Sequence, residues 1–366
     1  FVCNLFIFMN TIAWIGFCQG LFAALLMFTK KDSSLPDKIL SGWLTLLAIE
    51  FLTCGLDYEV FGEPLLSSSF LLFNPSMFLY VSSLTRSDFK IRWLQLLHLV
   101  PFVVFEILAY SIREPFSMDS FFVRDENFLF RISFAVVNVI SWMIYNPLSL
   151  VYVHKHRMHL RNEQSNIGKN ENLGWVLSVA VFYFVYCAIA FIISVVVYLA
   201  DVQPLLPHIY NYAALLFVVF VLSFYGLRQQ GLPKESLASI QTSTYKNSLL
   251  SDENKEKIKN KILHYFENQT VYLNPDLNMD VLSKNLKIPK YQLTEVLNTV
   301  IGKNFFQFVN SYRVEAVKKM LADPKNNYSI EAIGYECGFS SKSSFYKEFK
   351  RITGMTPIDF KNKIIS

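Results

Sequence analysis

The sequence predicts an all-α chain in two parts, a seven-helix transmembrane bundle followed by a tandem pair of helix-turn-helix units. Three observations carry this. Apolar runs long enough to cross a bilayer recur seven times before residue 228, the formal charge is confined to the tail, and two short helical patterns broken by turn signals repeat within that tail. The 366 residues are 52% hydrophobic and include 34 Phe, too apolar for one water-soluble globule. Residues 1–251 carry 16 Lys+Arg against 16 Asp+Glu, so the net charge of +5 belongs to 252–366.

A hydrocarbon core about 30 Å thick takes about 20 apolar residues at 1.5 Å each. The qualifying runs are 5–28, 39–57, 64–84, 93–112, 132–153, 173–200 and 205–227. The first, Leu5 to Phe28, is too long for a signal-peptide core and lacks a small-residue cleavage site, so it is expected as a retained span. Loops one, three and five carry Lys30, Lys31, Lys38, Arg86, Lys90, Arg92, Lys155, Arg157, Arg161 and Lys169, whereas loops two, four and six carry Arg113, Arg124 and Arg131. Basic residues resist translocation, so the odd loops are expected in the cytoplasm. That orientation predicts a multi-pass protein of the cytoplasmic (inner) membrane with Phe1 outside and everything beyond Arg228 inside.

Ionisable groups at membrane depth cost several kcal/mol unless paired, protonated or wet. Glu50, His98 and Glu106 stand out as a candidate sensing set, with Asn138 and Asn211 as further polar groups. His98 and Glu106 are eight residues apart, which predicts one face of one helix, with Pro101 loosening the backbone between them. Two explanations stay open: a pocket for a small ligand, or interhelical hydrogen bonds that hold the bundle together. His154, His156 and His159 beside Lys155 and Arg157 predict anchoring among headgroups rather than a metal site.

Five scattered cysteines without CxxC or histidines at metal spacing suggest neither a disulfide framework nor a zinc centre. No phosphate-binding GxxxxGK[ST], GxSxG elbow, HExxH or kinase signature occurs. No catalytic residue, metal or cofactor is therefore expected, and the chain is not expected to be an enzyme.

After a membrane domain at 1–227, polar and aperiodic residues 228–251 predict a cytoplasmic tether, and 252–366 a compact helical domain. Ser251 with Asp252 and Glu253 opens an amphipathic helix that places Ile258, Ile262, Leu263 and Phe266 on one side. The first helix-turn-helix unit spans about 279–300: a positioning helix Met279 to Asn285, a turn at Lys287-Ile288, and a second helix opened by Pro289. The second spans about 330–351, with a positioning helix Ile330 to Cys337, Gly338 as the turn, and Ser340 as the cap of a helix running to Arg351. Between them, Phe305 to Leu321 predicts a rod of about 25 Å. Two reading helices on such a rod can enter successive major grooves about 34 Å apart on one face of DNA.

The stretch from Ser329-Ile330 through Gly338-Phe339 and Phe345 to Phe349-Lys350, closing with Gly354-Met355-Thr356-Pro357, resembles the AraC/XylS family of transcriptional regulators. Gly302-Lys303-Asn304-Phe305-Phe306 with Tyr312-Arg313 matches the family's connection into its linker helix, and the resemblance covers about 270–365. Lys287-Ile288-Pro289 stands where many members have a glycine turn. The N-terminal part is unlike the soluble cupin-like effector domain of commoner members and looks like the membrane-embedded type with an N-terminal seven-helix domain.

The resemblance implies base-edge contacts from early, outward positions of the two reading helices. These map to Lys290, Tyr291, Thr294 and Glu295 in the first unit and Lys342, Ser343, Tyr346 and Lys347 in the second. Lysine suits guanine O6/N7, Glu accepts from cytosine N4, and Ser or Thr serves either. Lys350 and Arg351, with Lys303, are expected on phosphates. The implied partners are double-stranded DNA, the lipid bilayer, RNA polymerase, an unknown small-molecule or periplasmic signal, and a second copy in a homodimer. The expected function is a membrane-bound, sequence-specific transcriptional regulator that couples a membrane or periplasmic signal to transcription. Two alternatives stay open: a transporter or membrane enzyme with a regulatory DNA-binding tail, and a passively anchored transcription factor.

Overall fold

The computed structural model describes residues 2–86, 88–116, 121–168, 171–200, 207–229 and 250–365. The expected tether at 228–251 falls almost wholly outside these described residues. The described elements are helical; no strand is present among them, and the extended pairing they contain is two isolated bridges. The chain divides into two compact units, 1–154 with 173–238, and 155–172 with 239–366.

Among the described residues of the first unit, eight helices follow in order: α1 Val2–Phe28, α2 Leu35–Val60, α3 Ser69–Thr85, α4 Trp93–Leu96, α5 Val100–Ile112, α6 Phe128–Glu163, α7 Gly174–Ala200 and α8 Pro207–Arg228. The last turns of α6, from Lys155, belong to the second unit. Six helices among the described residues are long and apolar enough to cross a membrane: those within 7–28, 35–60, 93–112, 128–163, 174–193 and 209–228. The helix in the predicted run 64–84 is α3, 17 residues long and mostly buried. Outward-facing apolar residues such as Phe22 at 60%, Leu129 at 78% and Leu199 at 75% exposure form a surface that water would penalise and lipid would not.

Close backbone approach holds α1 on α2. Gly16 and Gly20, four apart on α1, sit against Phe51 and Ala48; a Cβ on Gly16 would lie 2.4 Å from the Phe51 ring. Polar ties reinforce the packing: Asn74 Nδ2 donates to Ser141 Oγ at 3.1 Å, and Asn146 Nδ2 donates to Asn74 Oδ1 at 2.9 Å. Arg131, counted above among the basic residues of the even loops, is 2% exposed and bonds Glu114 at 2.8 Å and Asp125 at 2.6 Å.

The second unit contains α9 Asp252–Asn268, α10 Met279–Leu286, α11 Lys290–Val296, α12 Phe305–Ala322, α13 Ile330–Glu336, α14 Lys342–Thr353 and α15 Pro357–Ile365. It has two apolar cores that share one helix. Phe305, Phe308 and Val309 of α12 pack with α9, α10 and α11, while Val314, Val317 and Leu321 pack with Ile333, Cys337, Phe339, Phe345 and Phe349. At the divide, α12 presents two fully buried polar residues, Asn310 and Arg313. Burial of each Phe on this scale contributes about 1.5–3 kcal/mol, so α14 is fixed chiefly by Phe345 and Phe349.

Candidate nucleic-acid interface

The interface grows from two helix pairs, α10 with α11 and α13 with α14. In the first, Asn278 caps α10 by accepting from Val281 N at 3.0 Å, and α10 ends at Lys287 in the left-handed conformation, φ +55°. A lysine therefore performs the turn for which a glycine would be unstrained. Pro289 precedes α11, whose helical pattern passes through a π turn at Leu297–Ile301 and stops at Gly302, φ +73°.

In the second pair the turn is Gly338 at φ +89°, as the sequence indicated. A Cβ there would lie 2.5 Å from Tyr272 O and 2.8 Å from Leu273 O, so the position excludes any larger residue. The cap of α14 is Ser341, whose Oγ accepts from Ser344 N at 3.3 Å, one residue later than the expected Ser340. The helix then ends at Gly354, φ +81°. Phe345 and Phe349 turn inward, which leaves Lys342, Ser343, Lys347, Lys350 and Arg351 exposed and Tyr346 half-buried on the opposite side.

Charge on that outer face is organised. Lys342 Nζ lies 2.6 Å from Glu331 and 5.6 Å from the centre of the Tyr346 ring. The Glu331 hydrogen bond and charge hold the Lys342 ammonium above its usual range, and Lys342 correspondingly holds the Glu331 carboxyl below its own. Arg351 Nε donates to the buried Glu348 at 2.7 Å. Lys347 and Lys350 are exposed cations on the same helix.

On α11 the outcome differs. Tyr291 is 58% exposed, and Lys290 Nζ is shared between Asp280 at 2.5 Å and Glu163 at 3.4 Å. Burial works to lower the Lys290 pKa, yet these carboxylates outweigh it and the ammonium stays above its usual range. Thr294 and Glu295, expected to face outward, are corrected: they are 7% and 5% exposed. Thr294 Oγ1 donates to Lys290 O at 2.9 Å, and Glu295 pairs with Lys255 of α9 at 3.2 Å. The packing of α9 against α11 turns this face into an interior one.

The candidate sensing residues are brought together only in part. Glu50, 2% exposed, accepts from Ser67 Oγ and from Tyr212 OH at 3.4 Å, while Glu106 accepts from the backbone N of the next residue, Ser68, at 3.1 Å. His98 does not share one α-helical face with Glu106. It lies in a 3-10 turn, Leu97–Leu99, between α4 and α5, and its Nδ1 meets Tyr145 OH at 2.7 Å. Asp57, which sequence reasoning passed over, accepts from Tyr110 OH at 2.7 Å and from Leu65 N at 3.1 Å. His156 is not at an open surface either: it is 1% exposed with Nε2 2.9 Å from Glu171 O. No group of His, Cys, Asp and Glu suited to a metal occurs among the described residues.

Residues 282–363 match the family model described as a helix-turn-helix domain, of the AraC type. The chain is similar to the uncharacterized HTH-type transcriptional regulator YtdP of Bacillus subtilis (strain 168), with 22% identity over 124 residues, 34% of this chain and 15% of that protein. It is also similar to an uncharacterized HTH-type transcriptional regulator of Staphylococcus aureus (strain COL), with 29% identity over 114 residues, 31% of this chain and 14% of that protein. A third relative, "Probable transcriptional regulator LumQ" of Photobacterium leiognathi, is 28% identical over 129 residues, 34% of this chain and 50% of that protein. The chain thus spans half or less of the length of each of these relatives. Among solved structures, a protein of unknown function from Listeria innocua overlays 29% of this chain and 95% of its own at 23% identity, with a TM-score of 0.26.

Proposed function

We propose that the chain is a membrane-bound, sequence-specific transcriptional regulator whose second unit reads DNA with two helices, α11 and α14, and whose first unit spans the bilayer seven times. The observation that carries the DNA reading is the outer face of α14: four exposed cations, Lys342, Lys347, Lys350 and Arg351, on a capped helix anchored by Phe345 and Phe349 within the matched helix-turn-helix domain. Early positions of a groove-entering helix face base edges and later ones the phosphates. On this basis Lys342, Ser343, Tyr346 and Lys347 are assigned to bases, and Lys350 and Arg351 to phosphates. On α11, exposed Tyr291 and half-buried Lys290, which Asp280 and Glu163 hold, are assigned to bases.

The seventh span of this proposal is α3. At 17 residues it measures about 25 Å, short of a full hydrocarbon thickness, but its burial among neighbouring helices lets protein rather than lipid surround its ends. Seven crossings with basic odd loops put the second unit on the cytoplasmic side, where DNA is. Glu50, buried, and Glu106, half-buried, both at membrane depth, are assigned to the response to a membrane or periplasmic signal.

The test is paired reporter fusions. A cytoplasm-dependent reporter after Gln230 is expected to be active and a periplasm-dependent one silent, with the opposite pattern for fusions within 114–124. A periplasmic signal after Gln230 would refute both the span count and DNA binding in place.

A further inference from the structure

The second unit contains a segment that is remote in sequence from its helices. Residues 155–172, the last turns of α6 and the connection to α7, belong with 239–366. Four consecutive residues where α6 ends and this connection begins, Glu163 to Asn166, reach both helix pairs and the helix that links them. Gln164 forms an antiparallel bridge with Asn278. Ser165 is fully buried in the notch between the two cores. Its Oγ donates to Leu277 O and accepts from Arg313 Nη2 at 3.0 Å, while its carbonyl accepts from Arg313 Nη1 at 3.0 Å and Asn310 Nδ2 at 3.3 Å. Asn166 Nδ2 donates to Pro275 O at 2.8 Å and Gly338 O at 2.9 Å, and its Oδ1 accepts from Ser340 N at 3.4 Å.

The notch is built for a neutral acceptor. Arg313 is fully buried, and besides Ser165 it donates to Tyr272 O at 2.7 Å, Asn274 O at 2.9 Å and Asn310 Oδ1 at 3.5 Å, all uncharged. Burial pulls its pKa down to about 10. A buried guanidinium has five N–H donors to satisfy, and the seryl carbonyl and hydroxyl accept from two of its nitrogens. The segment thus sits as an intramolecular ligand of the notch.

Docking has a consequence for charge. The same segment begins with Glu163, whose carboxylate lies 3.4 Å from Lys290, the first residue of α11. A phosphate approaching Lys290, which Asp280 also holds at 2.5 Å, meets the Glu163 carboxylate there as well, and the like charges repel. We propose that the face formed by Arg313, Asn310, Pro275 and Gly338 is an interaction surface whose partner is the Glu163–Asn166 segment, and that the docked segment restrains α11 from DNA until it is released. Because the segment joins two of the apolar helices, a change in their packing has a covalent route to that release. This inference rests on the DNA-binding reading above.

The experiment uses the full chain in lipid nanodiscs and a mixed-sequence DNA duplex as probe. Affinity is measured against salt for the wild type, Glu163→Gln, Asn166→Ala and both substitutions in a Lys290→Ala background. Glu163→Gln keeps the shape of the side chain and is expected to raise affinity about twofold to fivefold at low salt. It is also expected to steepen the salt dependence, because one carboxylate fewer opposes the phosphates. Asn166→Ala, which removes three hydrogen bonds of the docked segment, is expected to raise affinity in the same direction, and Lys290→Ala to abolish both gains. Hydrogen exchange at 163–168 is expected to accelerate when the duplex is added. Duplex binding that neither substitution changes, or that either one weakens, overturns the restraint and leaves DNA binding standing. A full chain that binds no duplex in any variant overturns the DNA-binding reading and the restraint together.

Discussion

Replacing Gly338 with alanine tests how the second helix pair is positioned. Gly338 adopts φ +89°, and a Cβ there would lie 2.5 Å from Tyr272 O, 2.8 Å from Leu273 O and 2.9 Å from Arg313 Nε. A left-handed conformation at a non-glycine residue costs about 1–2 kcal/mol. The obstructing atoms are mainly backbone carbonyls, which cannot swing aside, so overpacking adds about 1–3 kcal/mol. The expected loss is therefore about 2–5 kcal/mol, concentrated in the second unit. Hydrogen exchange of the full chain in nanodiscs reads it directly, because protection is resolved element by element. Amides of α13 and α14 are expected to lose protection by a factor of roughly thirty or more. Those of α1 and α2 are expected to keep theirs. Gly302→Ala is the internal control: its φ is +73°, but nothing lies within 4 Å of the added Cβ, so about 1–2 kcal/mol of conformational strain alone is expected. Equal and small effects at both glycines would refute the claim that contact with the 272–273 carbonyls places α14.

Four further outcomes are expected. Lys342→Ala should cost about 1–3 kcal/mol of specific DNA affinity and relax preference at one base pair, whereas Lys350→Ala should weaken all sequences alike and lower the salt slope by about 0.9, both read from binding titrations on a sequence panel. Lys287→Gly should stabilise the second unit by about 0.5–1 kcal/mol by relieving the left-handed strain at φ +55°, measured as increased exchange protection in α10 and α11. Arg131→Ala should destabilise the first unit by about 3–5 kcal/mol, measured by denaturant unfolding in micelles, because Glu114 would be left buried at 1% exposure without its cation. Glu50→Gln and Glu106→Gln should each change target-gene expression at constant protein level, and an unrelated seven-helix anchor in place of the spans should abolish the response to conditions; a response that survives the swap would make the first unit a tether.

Much of the second unit was legible because its signals are local. Phe345 and Phe349 recur at helical spacing, Gly338 stands between two such patterns, and Asn304 with Gln307 forms the capping box that starts α12. Periodicity cannot report what another helix covers, which is why Thr294 and Glu295 read as outward: their burial depends on α9, with Lys255 supplying the partner for Glu295. Two consecutive serines before Lys342, Ser340 and Ser341, left the cap of α14 ambiguous by one residue, and the geometry chose Ser341. The apolar runs located the long helices, but Pro64 and Ser67 to Ser69 delay the start of α3 to Ser69, and a 3-10 turn at 97–99 separates His98 from the helix of Glu106. The role of Ser165 and Asn166 had no local signal at all. Their partners Arg313 and Gly338 are 148 and 172 residues away.

The central claim is that this chain reads specific DNA from the membrane with α14 leading. The most direct measurement is a chromatin-occupancy map of the full-length protein in growing cells, run beside a Lys342→Ala, Lys347→Ala variant present in the membrane at the same level. A limited set of sharp, motif-sharing peaks that vanish in the variant is the expected result. Peaks that persist unchanged in the variant, or a profile no different from an untagged control, would contradict the account.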